Sequence, residues 1–405
     1  MIAVLAFLFL LSPRPADDDK LCGYYQPINN HLGFMVNCDT IKFIFPAKDP
    51  KILLNPRGVL QQRPLYALLG TVTGYTTKFF FGGVTQNPFY WGYVFLNFVT
   101  LFASLLIFDR LLNSLSIDKH LIYIMSIFLI CNNVTKIFLW TAHQQMLGFF
   151  TPLLMIYMSR KIITQPIDNY KKIALRSLLL GPLILTYGNF IMLLPCMIIC
   201  YTYKLLLEAR LTPRSFIIHA ASVAVPFFVP YIVWVRIVTY TAGSFYNYGM
   251  DEHRLLVWMY DALRQGYVPF ITKFAEFTKA YTLTFTSFAL ITLMSALFLS
   301  IIYTLKNKRV SSKNTGRYAL DSVNLMRVIS LTVFVLFFMF FWLLGFYTER
   351  LTMTLAAPAI IFITLTLQQL ITEQRVTRKT VLIILSCASF AWIAFHVTAY
   401  GPFVL

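Results

Sequence analysis

The chain has 405 residues, 58% of them hydrophobic and only 12% charged, with a mean hydropathy of +0.68. A soluble domain carries about a quarter charged residues, so a soluble globular fold is excluded, and the lack of period-2 alternation in the apolar runs excludes a membrane barrel. The formal charge of +18 would suggest nucleic acid in a soluble chain, but here basic residues mark the cytoplasmic loops of a membrane protein, and no nucleic-acid-binding motif accompanies them.

The predicted elements follow in chain order. Residues 1–12 are apolar but too short to span a bilayer core unaided, which predicts a first helix that is short or begins upstream of Met1. Residues 13–63 form a long polar loop containing the Asp17–Asp19 run, Asp39, Asp49, Arg57 and Arg63. Residues 64–84 are apolar but interrupted by Gly70, Gly74, Lys78, Gly82 and Gly83, the pattern of a re-entrant or interfacial helix. Spans are predicted at 89–108, 121–139, 144–158, 173–187, 190–206 and 215–238. A second long polar segment, 239–280, has aromatics and spaced Leu, Val and Met that suggest a helix lying on the membrane surface. The last spans fall at 281–305, 328–346, 353–371 and 380–399. The expected fold is therefore an all-α polytopic membrane protein, one domain over 1–405, with about eleven transmembrane helices.

Charge sets the expected orientation. The turns 109–120, 159–176, 204–214, 306–327 and 373–379 are compact and basic, which predicts that they face the cytoplasm. The loop 13–63 and the segment 239–280 then lie outside, and residues 64–88 make no net crossing. Cys131, Cys196, Cys200 and Cys387 lie in apolar runs and read as small hydrophobes. Cys22 and Cys38 share the first outer loop. A bridge between them, closing about 15 residues, and two free thiols both remain open.

The polar residues within the membrane region collect on the outer side. Asp39, Arg57 and Arg63 lie in the first loop, His143-Gln144-Gln145 and Tyr187-Gly188-Asn189 in outer turns, and Glu349-Arg350 in the turn of a late hairpin. A carboxylate can take a proton from a hydroxyl, arginines can hold a phosphate by paired hydrogen bonds, and an apolar scaffold can hold a lipid tail. Each residue also has a plainer reading. Arg63 can simply snorkel at the start of an apolar segment, Glu349 and Arg350 can be an interfacial ion pair, and His143 can cap a helix end. Asp251-Glu252-His253 offers divalent-cation ligand types, but with no second cluster it reads as a solvated face. No metal ligand is assigned, and a divalent cation stays open as a cofactor. No Ser-His-Asp order, HExxH, P-loop or GxSxG points to another enzyme class.

Four short motifs carry a resemblance: Cys38-Asp39-Thr40, Gln62-Arg63-Pro64-Leu65-Tyr66, Tyr187-Gly188-Asn189 with Leu194-Pro195, and Thr348-Glu349-Arg350-Leu351 with Pro358. Together with the order of helices and loops, they make the chain resemble the GT-C superfamily of integral-membrane glycosyltransferases. The resemblance implies a polyprenyl-phosphate sugar donor, a glycan, lipid or protein acceptor, and an active face outside the cell membrane. It also implies Asp39 as the base; Arg57, Arg63, His143, Asn189, Glu349 and Arg350 are the candidate substrate contacts. No clear Asp-x-Glu or Asp-Asp pair sits where the metal-using members carry one. The alternatives are a transporter or flippase for a lipid-linked or polar solute, and a non-catalytic assembly factor.

Overall fold

The computed structural model describes residues 1–15, 23–58, 60–82, 87–166, 169–311 and 322–399. The Asp17–Asp19 run, Cys22, and Lys313 and Arg317 of the basic turn lie outside the described residues. The chain is a multi-pass, membrane-embedded helical protein, and among the described residues eight helices are long and apolar enough to cross a membrane.

A nine-residue helix, α1 (Ile2–Leu10), precedes an antiparallel hairpin of β1 (Gly23–Pro27) and β2 (Gly33–Asn37). β2 is buried throughout, with Phe34 against Trp140. The first long loop is thus partly ordered structure, completed by α2 (Thr40–Lys48) and a 3-10 turn at Pro50–Leu54. Next come α3 (Pro64–Phe81), α4 (Pro88–Asn113), α5 (Lys119–Ile130) and the six-residue α6 (Asn133–Phe138). The helices α7 (Leu147–Thr164), α8 (Tyr170–Leu180), α9 (Leu193–Leu207) and α10 (Pro213–Ala242) follow. The second polar segment forms α11 (Tyr248–Asp251), α12 (Val257–Gln265) and α13 (Tyr267–Leu283). The chain continues through α14 (Phe288–Ser311), α15 (Ser322–Leu344), the one-turn α16 (Glu349–Thr352), α17 (Ala356–Thr372) and α18 (Arg378–Thr398).

The centre of the bundle is α17, buried without interruption from Ala356 to Thr366. Its small residues Ala356, Ala357 and Ala359 let neighbouring helices come close, as packing in lipid requires. The helices α10, α14 and α18 are peripheral and leave Val225, Ile232, Ile291, Phe298 and Phe390 exposed, an arrangement that suits contact with lipid.

The 1–12 run forms the short helix α1, as its length predicts. Some of the predicted spans are not single long helices. The 121–139 run breaks at Cys131–Asn132. There the Asn132 carboxamide accepts from Thr135 N at 2.9 Å and donates to the Leu129 carbonyl at 3.0 Å, side-chain bonds that replace helical ones and start α6 afresh. The 173–187 run ends as a 3-10 turn at Gly181–Leu185, where Pro182 supplies no backbone donor. The segment 64–84 forms one unbroken helix, α3, through Phe81, and it is not among the eight helices long and apolar enough to cross a membrane. Its glycines serve packing rather than breakage. A Cβ on Gly74 would sit 2.3 Å from the Phe89 ring, and one on Gly92 of α4 would sit 2.6 Å from the Gly74 amide nitrogen.

That last contact is backbone against backbone, so no rotamer change relieves it. Gly92→Ala is expected to push α3 and α4 apart and to cost about 1–3 kcal/mol, read as a lowered unfolding temperature in detergent. Gly188→Ala, where a Cβ meets nothing within 4 Å, serves as the control that leaves the temperature close to wild type.

Candidate functional site

A buried amide on α4 sets the geometry. Asn97, in mid-helix and 1% exposed, donates to the carbonyls of Phe138 and Thr141 at 2.9 and 2.7 Å. It fixes the turn between α6 and α7 that carries His143. The Thr141 hydroxyl then accepts from Asn37 N at 3.1 Å, and the Asn37 side chain accepts from Asp39 N at 3.0 Å. From the same turn, Gln145 donates to the Arg350 carbonyl at 2.6 Å. Elements far apart in sequence are thus tied at one point.

Around that point lies a cavity of about 570 Å³. Asp39, Arg57, Arg63, His143, Asn189 and Arg350 all line it. Asp39 stands at the start of α2, with Lys42 Nζ 3.0 Å from its Oδ1, and Arg350 Nη1 and His143 Nε2 at 3.4 and 4.0 Å from its Oδ2. Burial would raise the Asp39 carboxyl, but the facing His143 Nε2 and the charges of Arg350 and Lys42 outweigh it and hold the group below its ordinary range. His143 Nδ1 accepts from Gln145 N at 3.0 Å, and burial pushes the imidazole well below its ordinary range. The ring is therefore neutral at pH 7, with its proton on Nε2, facing Asp39. His143 does cap the following turn, and its other nitrogen faces the cavity.

Arg63 is half-buried, and among the described residues no carboxylate lies within ion-pair distance of it. Arg57 is exposed at the cavity mouth, in a left-handed conformation with φ 53°. Asn189 is buried beside the Tyr187 hydroxyl. Glu349 is different: it is 2% exposed, does not line the cavity, and turns toward Ser287. Successive residues on a helical turn point about 100° apart, so Arg350 enters the cavity while Glu349 faces away. The two do not form the interfacial pair that their adjacency suggests.

The cavity also holds residues not among the candidate site residues above, Gln144 and His253 from segments already noted and Lys42, Tyr246 and Tyr248 besides. Lys42 is one helical turn from Asp39, a spacing that pairs side chains. Gln144 is 2% exposed, lines the cavity, and its Oε1 has no hydrogen-bond partner. Tyr246, Tyr248 and His253 of the second polar segment form a roof, which Gln61 fastens through its Oε1, accepting from Tyr246 N at 2.8 Å. The opposite wall is apolar, with Ile184, Ile191, Phe228, Phe340 and Leu344.

Asp251 and Glu252 are engaged locally, accepting from Asn247 N and Tyr246 Oη at 2.8 and 2.7 Å. No cluster of His, Cys, Asp and Glu able to hold a metal occurs among the described residues. Cys38, next to Asp39, is disulfide-bonded, and the expected partner Cys22 lies outside the described residues.

The site therefore defines an electropositive cavity with one ionised carboxylate, set at the loop end of a membrane bundle. Comparison with protein-family models, curated proteins and solved structures finds no match to this chain.

Because Asp39 titrates lower when folded than its unfolded value near 3.9, its ion pairs stabilise the fold above about pH 4, and that contribution is lost as pH falls toward 2. Asp39→Asn is expected to cost at most about 2.5 kcal/mol at neutral pH. The difference in unfolding temperature between variant and wild type should close as the pH falls from 4 toward 2. A gap that stays constant across that range would show that the ion pairs do not set stability.

Proposed function

We propose that the protein is a GT-C-like membrane glycosyltransferase, moving a sugar from a polyprenyl-phosphate donor to an acceptor hydroxyl at the outer face of the cell membrane. One observation carries this reading. A single carboxylate, Asp39, shares a cavity with Lys42, Arg57, Arg63 and Arg350, beside an apolar wall. The cations suit a phosphate, the wall suits the first isoprene units of a lipid tail, and the carboxylate suits an incoming hydroxyl.

In the proposed step the acceptor oxygen bonds to the anomeric carbon and its proton passes to Asp39. The bond from that carbon to the phosphate oxygen breaks, and the electron pair leaves with the polyprenyl phosphate. The leaving group changes from a singly charged diester to a monoester with more negative charge. Fixed cations therefore hold the transition state better than the ground state, which is the condition for raising the rate. Arginine is suited to this task because its planar fork offers two parallel hydrogen bonds to phosphate.

A transporter or flippase is the second reading. It is favoured by the break between α5 and α6 within a buried region, where Lys136 is 2% exposed and donates to the Ala399 carbonyl at 2.6 Å. Discontinuous helices with buried polar groups are common at transport sites.

An in-membrane assay with a panel of polyprenyl-phosphate sugars separates the two. Asp39→Asn is expected to stay folded and inserted but to lose transfer by about 100-fold or more. Arg63→Lys and Arg350→Lys are expected to weaken donor use despite keeping their charge. Wild-type turnover in the Asn variant would remove Asp39 from the role of base. Orientation is tested separately, with cysteines placed at Ser244 and Ser311. An impermeant thiol reagent should label the first and not the second in intact cells, and equal labelling would overturn the outward-facing site.

A further inference from the structure

Asp39 is fully engaged in the empty cavity. Lys42 holds Oδ1, while Arg350 and His143 face Oδ2. A carboxylate in that state is a poor proton acceptor, since a general base works best with a pKa near the operating pH. Asp39 instead sits below its ordinary range, held there by the adjoining charges of Arg350 and Lys42. The same two cations that quench it also line the space a phosphate would fill.

We propose that Lys42 and Arg350 are shared groups: they hold Asp39 while the cavity is empty and pass to the donor's phosphate when it binds, so that Asp39 becomes a working base only with the phosphate in place. The proposal rests on the anionic, lipid-linked donor inferred above.

The geometry favours the exchange. The Arg350 contact is a single prong at 3.4 Å, longer than the 2.7–2.9 Å typical of strong charge-assisted pairs, so little is lost when it opens. The Lys42 side chain is 49% exposed, and its ammonium lies 5.1 Å from the Tyr248 ring centroid, on the cavity roof. Its flexible stem can swing to an anion without moving α2. The other charged or titratable groups near Asp39 do not replace these two. His143 from the α6–α7 turn is neutral, Arg63 at the start of α3 makes no ion pair with Asp39, and Tyr248 reaches it only through Lys42. Once phosphate draws the two cations away, the burial that already pushes the Asp39 carboxyl up has less to oppose it. Donor binding therefore precedes activation of the acceptor hydroxyl.

The test is a binding measurement that needs no turnover. Farnesyl phosphate, a short isoprenoid phosphate, is titrated calorimetrically into the full chain in detergent. If Asp39 competes for the cations, Asp39→Asn binds about tenfold tighter than wild type and Lys42→Met about tenfold weaker. The loss from Lys42→Met should be larger in the Asp39→Asn background, because Lys42 there has no second claimant. That non-additivity separates sharing from simple charge repulsion, which gives additive effects. Asp39→Ser replaces Asp39→Asn should the latter fail to fold. Unchanged or weaker binding in both Asp39 variants, or strict additivity with Lys42→Met, overturns the proposal while leaving the transferase reading standing. No binding by wild type or any variant overturns both. Inorganic phosphate, run alongside, should rank the variants in the same order at lower affinity. An affinity equal to that of farnesyl phosphate would overturn the lipid-linked reading.

Discussion

The Asn97 carboxamide is the constraint on which the rest of the site depends. A turn between two helices deep in a bundle leaves backbone carbonyls without helical partners, and in low dielectric each unpaired group is costly. Asn97 satisfies Phe138 and Thr141 together. With the turn held, Thr141 can take the amide of Asn37, Asn37 can take the amide of Asp39, and Gln145 can take the carbonyl of Arg350. The carboxylate and its principal arginine are 311 residues apart in sequence, yet both are referred to one rigid turn. Precision at a site made from loops has to come from such a support, because loops alone are mobile.

Much of the fold was legible because a bilayer makes simple demands. Runs of apolar residues about 20 long have to become helices, and the long, uninterrupted runs do so. What the sequence concealed lies where side chains substitute for backbone partners. The 121–139 run reads as continuous on hydropathy, but Asn132 reaches its own backbone and cuts the helix in two. Glycine carries a second meaning. In α3 and α4, Gly74 and Gly92 stand where two helix backbones touch. Local composition cannot separate these meanings, since the neighbour that decides is on another helix. The hairpin at the start was legible in part. Two five-residue runs, GYYQP and GFMVN, flank the turn-forming Asn29-Asn30, and turn residues between β-prone runs are a recognised signal.

The set of residues lining the cavity was legible to a similar degree. Ionisable groups are scarce in this chain, so those placed at helix ends on one side tend to converge. Six of the seven candidate site residues line one cavity. Glu349 lies outside that cavity, because the helical turn separates its side chain from that of Arg350. Lys42 was within reach of the helical spacing rule once α2 was recognised, but the loop was read without a helix. Gln61 carried no signal, and Gln144 only its place in an outer polar turn. A glutamine in a polar loop is unremarkable until burial shows that its amide fastens the roof or points unpaired into the cavity.

The charge arrangement of the cavity is unbalanced in a way that bears on what it can hold. Lys42, Arg57, Arg63 and Arg350 face one carboxylate, and two of them have no carboxylate within ion-pair distance among the described residues. In the reduced dielectric beside an apolar wall, like charges repel more strongly than in water. The repulsion is tolerable where the groups are partly solvated, as Arg57 and Lys42 are, and costly where they are buried. A multiply charged anion relieves it at several cations together. A neutral solute relieves none of it, and a cation adds to it. The one carboxylate cannot balance the set, and by pairing with Lys42 and Arg350 it leaves Arg63, the most enclosed of the unpaired cations, facing the open space. The cavity thus sets unpaired positive charge at Arg63 beside apolar surface at Phe228 and Leu344.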